Sequence, residues 1–159
     1  MSGYWEANER DSAIDFILRD KIVGHEFAGM LLGDLLGSGA SRYVFQHAGH
    51  KNRVIKIDMS NWNANVIEYD VWQSVQHVQR INKWFAKCYQ MSRCGRILIM
   101  EKLDMERGIS AYPKIVPAFF TDIKWANFGF RGKQLVCCDY ASNLLIEHGL
   151  KVKMVNAKW

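Results

Sequence analysis

The sequence predicts an α+β fold, organised as one domain or as two small lobes sharing a core. Three observations predict it. Short β-rich runs such as "RVIKID" and "RILIM" are bounded by turn residues. Helical apolar patterns precede and separate those runs. Finally, 49% of the 159 residues are apolar and 13% are aromatic, enough for a packed core and against disorder.

The elements follow in order. Residues 12–31, "SAIDFILRDKIVGHEFAGML", read as one helix with Ile14, Phe16, Ile17 and Ile22 as apolar positions, Ser12 as its N-cap and Gly24 weakening or ending it. The glycine-rich "LLGSGASRYVF" comes next, then a turn at "HAGHKN" and the strand "RVIKID". Asn61 to Val78 reads as a helix, with Val71, Val75 and Val78 at helical spacing and Trp72 beside them. "RILIM" follows a turn at Cys94–Gly95 as a buried strand. Residues 104–120 are irregular and hold both prolines, Pro113 and Pro117. "NFGF" and "KQLVCCD" form a hairpin about Arg131–Gly132. The tail from Ala141 has apolar periodicity in "SNLLIEHGL" and a basic end.

Composition narrows the function classes. There is no run of 18 apolar residues, so no membrane span is expected, and the polar start "MSGYWEANERDSA" is unlike a signal peptide. The protein is therefore expected in a cytosol. Cys88, Cys94, Cys137 and Cys138 form no CxxC pair and are expected to be buried free thiols. The net charge of +5 is compatible with nucleic acid or an acidic partner, but the basic residues are dispersed, which favours a solvated surface. The six Trp residues suit core or interface anchoring better than base stacking.

Four pieces carry chemistry. In Gly37-Ser-Gly39-Ala-Ser-Arg-Tyr-Val44, two glycines allow a tight turn and close approach of N–H groups to phosphate oxygens. No helix follows directly and no GK[ST] closes the loop, so it is neither a dinucleotide fingerprint nor a P-loop. Lys56 stands in "VIKI", facing away from Ile55 and Ile57; if buried, its ammonium needs an anion. Glu68 falls on the apolar stripe of its helix, at the rim or reaching for a buried cation such as Lys56. In "TDIKWANFGFRGKQLVCCDY" the hairpin brings Asn127 and Asp139 together, an arrangement that suits a hard cation. Asp122 stands ready to accept a proton from an incoming hydroxyl, and Lys124 to neutralise a transferring phosphoryl group.

This order of glycine loop, strand Lys, helix Glu, apolar strand, D-x-K-x-x-N and Asp-aromatic-small resembles the eukaryotic-type protein kinase family over roughly residues 33–141. "DIKWAN" is similar to the catalytic loop, Asp139-Tyr140-Ala141 to the DFG triplet, and "ILIMEKL" to the strand entering the hinge. The resemblance implies an antiparallel-sheet amino-terminal lobe with a regulatory helix, residues 1–103, and a much reduced carboxyl-terminal lobe, 104–159. It implies ATP and Mg as cofactors. Lys56, paired with Glu68, would hold the α- and β-phosphates, and Gly37, Gly39 and Val44 would cover the nucleotide. Met100 would be the gatekeeper, with Glu101 to Leu103 lining the adenine site. Asp122 would be the base, and Asn127 and Asp139 the metal ligands.

The chain departs from the family pattern in several places. Arg42 takes the third glycine position, Phe120-Thr121 replaces His-Arg, and Ala141 replaces the last glycine of the triplet. Only eighteen residues lie between Leu103 and Asp122, and the chain ends eighteen residues after Ala141, with no APE motif. Such brevity resembles phage-encoded serine/threonine kinases, which modify host proteins. Two readings stay open: a Mg-ATP-dependent transferase acting on protein Ser/Thr hydroxyls, and a pseudokinase serving as an inhibitor or scaffold of a host protein. Nucleic-acid binding is the minor third. A truncated fold also invites pairing with a second copy.

Overall fold

The computed structural model describes residues 7–145 and 152–159, with the backbone alone for 7–11 and 13. It opens with two helices, α1 (Ala7–Arg19) and α2 (Lys21–Leu31), where the sequence predicts one. Ser12 lies inside α1. The break falls at Asp20, whose carboxylate accepts the Ile22 and Val23 N–H groups at 2.9 and 3.0 Å. That cap satisfies donors the first turn of α2 leaves free. Gly24 does not end the helix. A Cβ there would come within 2.8 Å of the Ile17 carbonyl oxygen, so the glycine permits close packing of α2 on α1.

A five-stranded sheet follows, built from β1 (Leu32–Ser38), β2 (Arg42–His47), β3 (Arg53–Asp58), β4 (Cys88–Met91) and β5 (Ile97–Glu101). Its order is β1-β2-β3-β5-β4 and every neighbouring pair is antiparallel. The β2–β3 register sets Val44 opposite Lys56 and Arg42 opposite Asp58.

Helix α3 (Ala64–Val75) packs on β3, β4 and β5, and α4 (Gln79–Asn82) follows it. The helix is shorter at both ends than the predicted 61–78. Its start is fixed by the buried Asp58, which accepts the Ala64 N–H at 2.9 Å through one oxygen and the Ser60 N–H and hydroxyl through the other. Asn65, fully buried, donates to the carbonyls of Arg96 and Lys56 and so ties α3 to the sheet. The buried stripe Ala64, Asn65, Glu68, Trp72, Val75 has helical period and passes through Glu68.

Beyond β5 the chain is mostly irregular. β6 (Ile115–Pro117) pairs with β9 (Met154–Asn156), and β7 (Phe128–Arg131) pairs with β8 (Gln134–Cys137) in the expected hairpin. Gly132 takes φ +60 at its turn, a backbone conformation that glycine adopts without a Cβ penalty. Of the predicted periodic tail, residues 146–150 lie outside the described residues; Leu145 is buried. Among the described residues one hydrophobic cluster joins the sheet, α3 and the hairpin. At its centre the Phe85 ring meets Phe119 at 5.4 Å and Tyr140 at 4.9 Å. Among the described residues no helix is long and apolar enough to cross a membrane.

Candidate active site

Strand alternation turns Lys56 toward α3, and the helical stripe turns Glu68 toward β3. Both are buried, and Lys56 Nζ lies 2.9 Å from Glu68 Oε2. Lys56 also donates to the Cys138 carbonyl, and the Tyr140 N–H donates to Glu68 Oε1 at 3.1 Å. The pair is thus clamped to the stretch that leaves β8. Tyr140 anchors that stretch, fully buried, with its hydroxyl 2.8 Å from the Ala86 carbonyl oxygen and 3.1 Å from Cys88 Sγ.

Asp139 follows directly. Its Oδ1 is 2.6 Å from Arg42 Nη2, and Arg42 Nη1 is 2.9 Å from Glu68 Oε2. The second contact is a close ion pair whose geometry is not that of an aligned hydrogen bond. Burial opposes the charge on Arg42, but Glu68 and Asp139 outweigh it and raise its pKa. Burial likewise opposes ionisation of Asp139, yet Lys56 and Arg42 hold its carboxyl below the usual range. Four side chains from β2, β3, α3 and the end of the hairpin therefore form one cluster with no net charge.

A second group lies in the loop before β7. Asp122 Oδ2 is 2.7 Å from Lys124 Nζ and 2.8 Å from Asn127 Nδ2, which also reaches the Asp122 carbonyl at 3.0 Å. Asp122 and Lys124 are exposed; Asn127 is buried. The hydrogen bond to Asp122 raises the pKa of Lys124. The hairpin links the two groups through its backbone, because the Cys138 N–H donates to the Asn127 carbonyl at 2.8 Å. The expected convergence of the Asn127 and Asp139 side chains on one point is not what the contacts show. Asn127 Nδ2 turns to Asp122, and Asp139 turns to Arg42.

The donor set still suits a hard cation. With Nδ2 engaged, the Asn127 amide oxygen is its remaining polar atom, and the half-exposed Asp139 keeps a second carboxylate oxygen. Among the described residues no three His, Cys, Asp or Glu side chains gather into a metal cage. Magnesium typically needs only one or two such protein ligands, with phosphate oxygens and water completing its shell.

The remaining candidates take varied places. Gly37 has no atom within 4 Å of an added Cβ and Gly39 only the Arg42 carbonyl oxygen at 4.0 Å, so neither glycine is demanded by packing. Met100 is buried in the core. The Glu101 carboxylate is gripped by Arg131 through two nitrogens and accepts the Lys87 N–H, so it ties β5 to the hairpin rather than facing outward. Among the described residues the Leu103 backbone makes no hydrogen bond to another main-chain group. Gly129 sits hard against this stretch: a Cβ there would lie 2.7 Å from Leu103 Cβ and 2.5 Å from Met105 Sδ. The cysteines are all free thiols, but Cys94 is exposed on its turn, where the sequence predicts burial.

No family model and no curated protein matches the chain. Solved structures do. The streptomycin–ATP–APH(2")-IIa ternary complex, an aminoglycoside phosphotransferase of protein kinase-like fold, matches with a TM-score of 0.50 at 10% identity over 78% of this chain and 71% of that chain. The likeness is one of fold: this chain has an α+β, kinase-like arrangement.

Sequence reasoning noted Arg42 only as a departure from the glycine loop and assigned it no partner. The signal was present. Arg42 stands two residues before Val44, so alternation puts both on the face that carries Lys56 across the β2–β3 register. The Cys138 carbonyl and Tyr140 N–H contacts had no such signal, because both are main-chain groups placed by tertiary packing.

Proposed function

We propose that this chain is a minimal kinase-like phosphotransferase that moves the γ-phosphoryl of ATP to a Ser/Thr hydroxyl of a protein. One observation carries the reading: buried Lys56 and Glu68 and half-exposed Asp139, far apart in sequence, meet through Arg42 in one cluster beside the Asp122–Asn127 loop. In this reading Lys56, steadied by Glu68, holds the α- and β-phosphates, and the open backbone at Gly37 and Gly39 lets the polyphosphate approach. Val44 flanks the base, Met100 packs behind it from the core, and the Leu103 backbone, without a main-chain partner among the described residues, offers it hydrogen bonds. Asn127 and Asp139 hold magnesium, which when bound neutralises charge on the phosphates. Asp122 orients the acceptor hydroxyl and takes its proton, and Lys124 offsets charge on the moving phosphoryl group. Among the described residues, those up to Leu103 and those from Asp104 onward are read as the two lobes that flank the site. The acceptor is taken to be a host protein of a phage-encoded enzyme working in the host cytoplasm.

A second reading has its own support. Arg42 occupies Asp139, as expected of a pseudokinase that binds a partner without transferring phosphate. Exposed Phe16, Leu18, Ile22 and Met30 on α1 and α2 offer apolar surface for such a partner or for a second copy. Incubation with γ-labelled ATP and a host extract separates the readings. Label transfer that is lost in Asp122→Ala supports the enzyme; the same silence from both proteins, each shown to be folded, supports the binding module.

A further inference from the structure

We propose that Arg42 is a phosphate-binding arm of the cleft which, without nucleotide, is parked on the metal-binding carboxylate, so that it opposes binding of a divalent cation alone and favours binding of the polyphosphate. This deepens the nucleotide-site reading and rests on it.

Three observations support it. Arg42 lies at the end of the glycine-rich turn, the place from which a side chain reaches phosphates covered by that turn. The turn is closed by the Gly39 N–H on the Arg42 carbonyl at 2.9 Å, so movement of the turn carries Arg42 with it. The guanidinium is also under-used where it sits. Nη2 holds Asp139 at 2.6 Å, but Nη1 is buried with no aligned acceptor, and Glu68 already has Lys56 at 2.9 Å. A guanidinium presents its donors in a fixed fork that matches phosphate oxygens.

Charge balance gives the direction. Lys56, Arg42, Glu68 and Asp139 sum to zero as they stand. A divalent cation arriving alone at Asp139 leaves two uncompensated positive charges beside buried groups and competes with Arg42 for Oδ1. A polyphosphate brings the missing negative charge and offers Arg42 better acceptors, which releases Asp139. Polyphosphate and cation therefore each favour the other, and Arg42 is the coupling element. Neither described surface hollow, one of about 510 Å³ beside α1 and one of about 370 Å³ at the β2–β3 turn, touches this cluster.

The test uses Arg42→Gln, with Mn²⁺ as the cation probe and the nonhydrolysable nucleotide AMP-PNP in EDTA as the phosphate probe. The proposal expects effects of opposite sign. Mn²⁺ alone should bind at least about fivefold tighter to the variant, and metal-free AMP-PNP at least about fivefold weaker. A merely structural residue would move both the same way. AMP-PNP binding equally to wild type and variant, or Mn²⁺ binding no tighter to the variant, overturns the proposal. AMP-PNP binding to neither, with wild type folded, instead overturns the nucleotide-site reading and this inference with it. If Arg42→Gln does not fold, the Arg42 Nε–H resonance of the wild-type chain decides. It should shift on addition of metal-free AMP-PNP, and an unmoved resonance at saturation overturns the proposal.

Discussion

Substituting Glu68 tests whether the buried cluster is assembled as described. Its side chain is fully buried and faces two cations, Lys56 and Arg42, at 2.9 Å each, and it also accepts the Tyr140 N–H at 3.1 Å. Glu68→Ala leaves both cations without that partner. Removing one member of a buried ion pair typically costs about 3–5 kcal/mol. Arg42 keeps Asp139 and Lys56 keeps the Cys138 carbonyl, so the lower end, about 3 kcal/mol, is the expected value. For a domain of this size that lowers Tm by roughly 6–12 °C. Urea unfolding followed by circular dichroism gives the loss directly, with an unchanged m-value showing that the unfolded state is not the cause. Asp104→Ala is the control. Its partner Arg107 is an exposed neighbour on the surface, so the change should cost far less than Glu68→Ala. A Glu68→Ala loss no larger than that control would refute the placement of Glu68 between two cations.

Other outcomes follow from the same geometry. Asp139 is ionised below the usual carboxylate range, so its contribution to stability is complete above its ordinary value of 3.8 and disappears as pH falls through its folded value. Urea midpoints should therefore fall more steeply below pH 4 for wild type than for Asp139→Asn; parallel curves would contradict the ion pair with Arg42. Gly129→Ala places a Cβ 2.5 Å from Met105 Sδ and 3.0 Å from the Asp104 carbonyl oxygen and should destabilise the fold by about 1–3 kcal/mol. Gly37→Ala meets nothing within 4 Å and should leave stability within about 1 kcal/mol of wild type while weakening nucleotide binding. Equal stability losses at the two glycines would show that the glycine turn is packed rather than open.

Legibility in the sequence follows the range of the interactions. Lys56 and Glu68 were readable because strand alternation and helical period each assign a face from a few neighbouring residues. The β7–β8 hairpin was readable from its glycine turn. The break between α1 and α2 was missed because Asp20 looks like any helix residue until its carboxylate is seen capping Ile22 and Val23. The start of α3 was set too early because its cap comes from Asp58, six residues before Ala64 on the preceding strand. Strand β9 is three residues long and exists only by pairing with β6, so no local pattern announces it. The hairpin joins the Cys138 N–H, next to Asp139, to the Asn127 carbonyl, but the Asn127 and Asp139 side chains do not meet. Their side-chain partners, Asp122 and Arg42, are decided by charge competition that spacing does not encode.

The central claim is that residues dispersed along the chain build one nucleotide site around Lys56. Titration calorimetry with AMP-PNP and magnesium tests it most directly, on wild type and on Lys56→Met shown to be folded by circular dichroism. The account predicts one nucleotide bound per wild-type chain and at least about tenfold weaker binding to the variant, as loss of a charged hydrogen bond worth about 1.5–3 kcal/mol implies. No binding by folded wild type, or equal binding by both proteins, would contradict it.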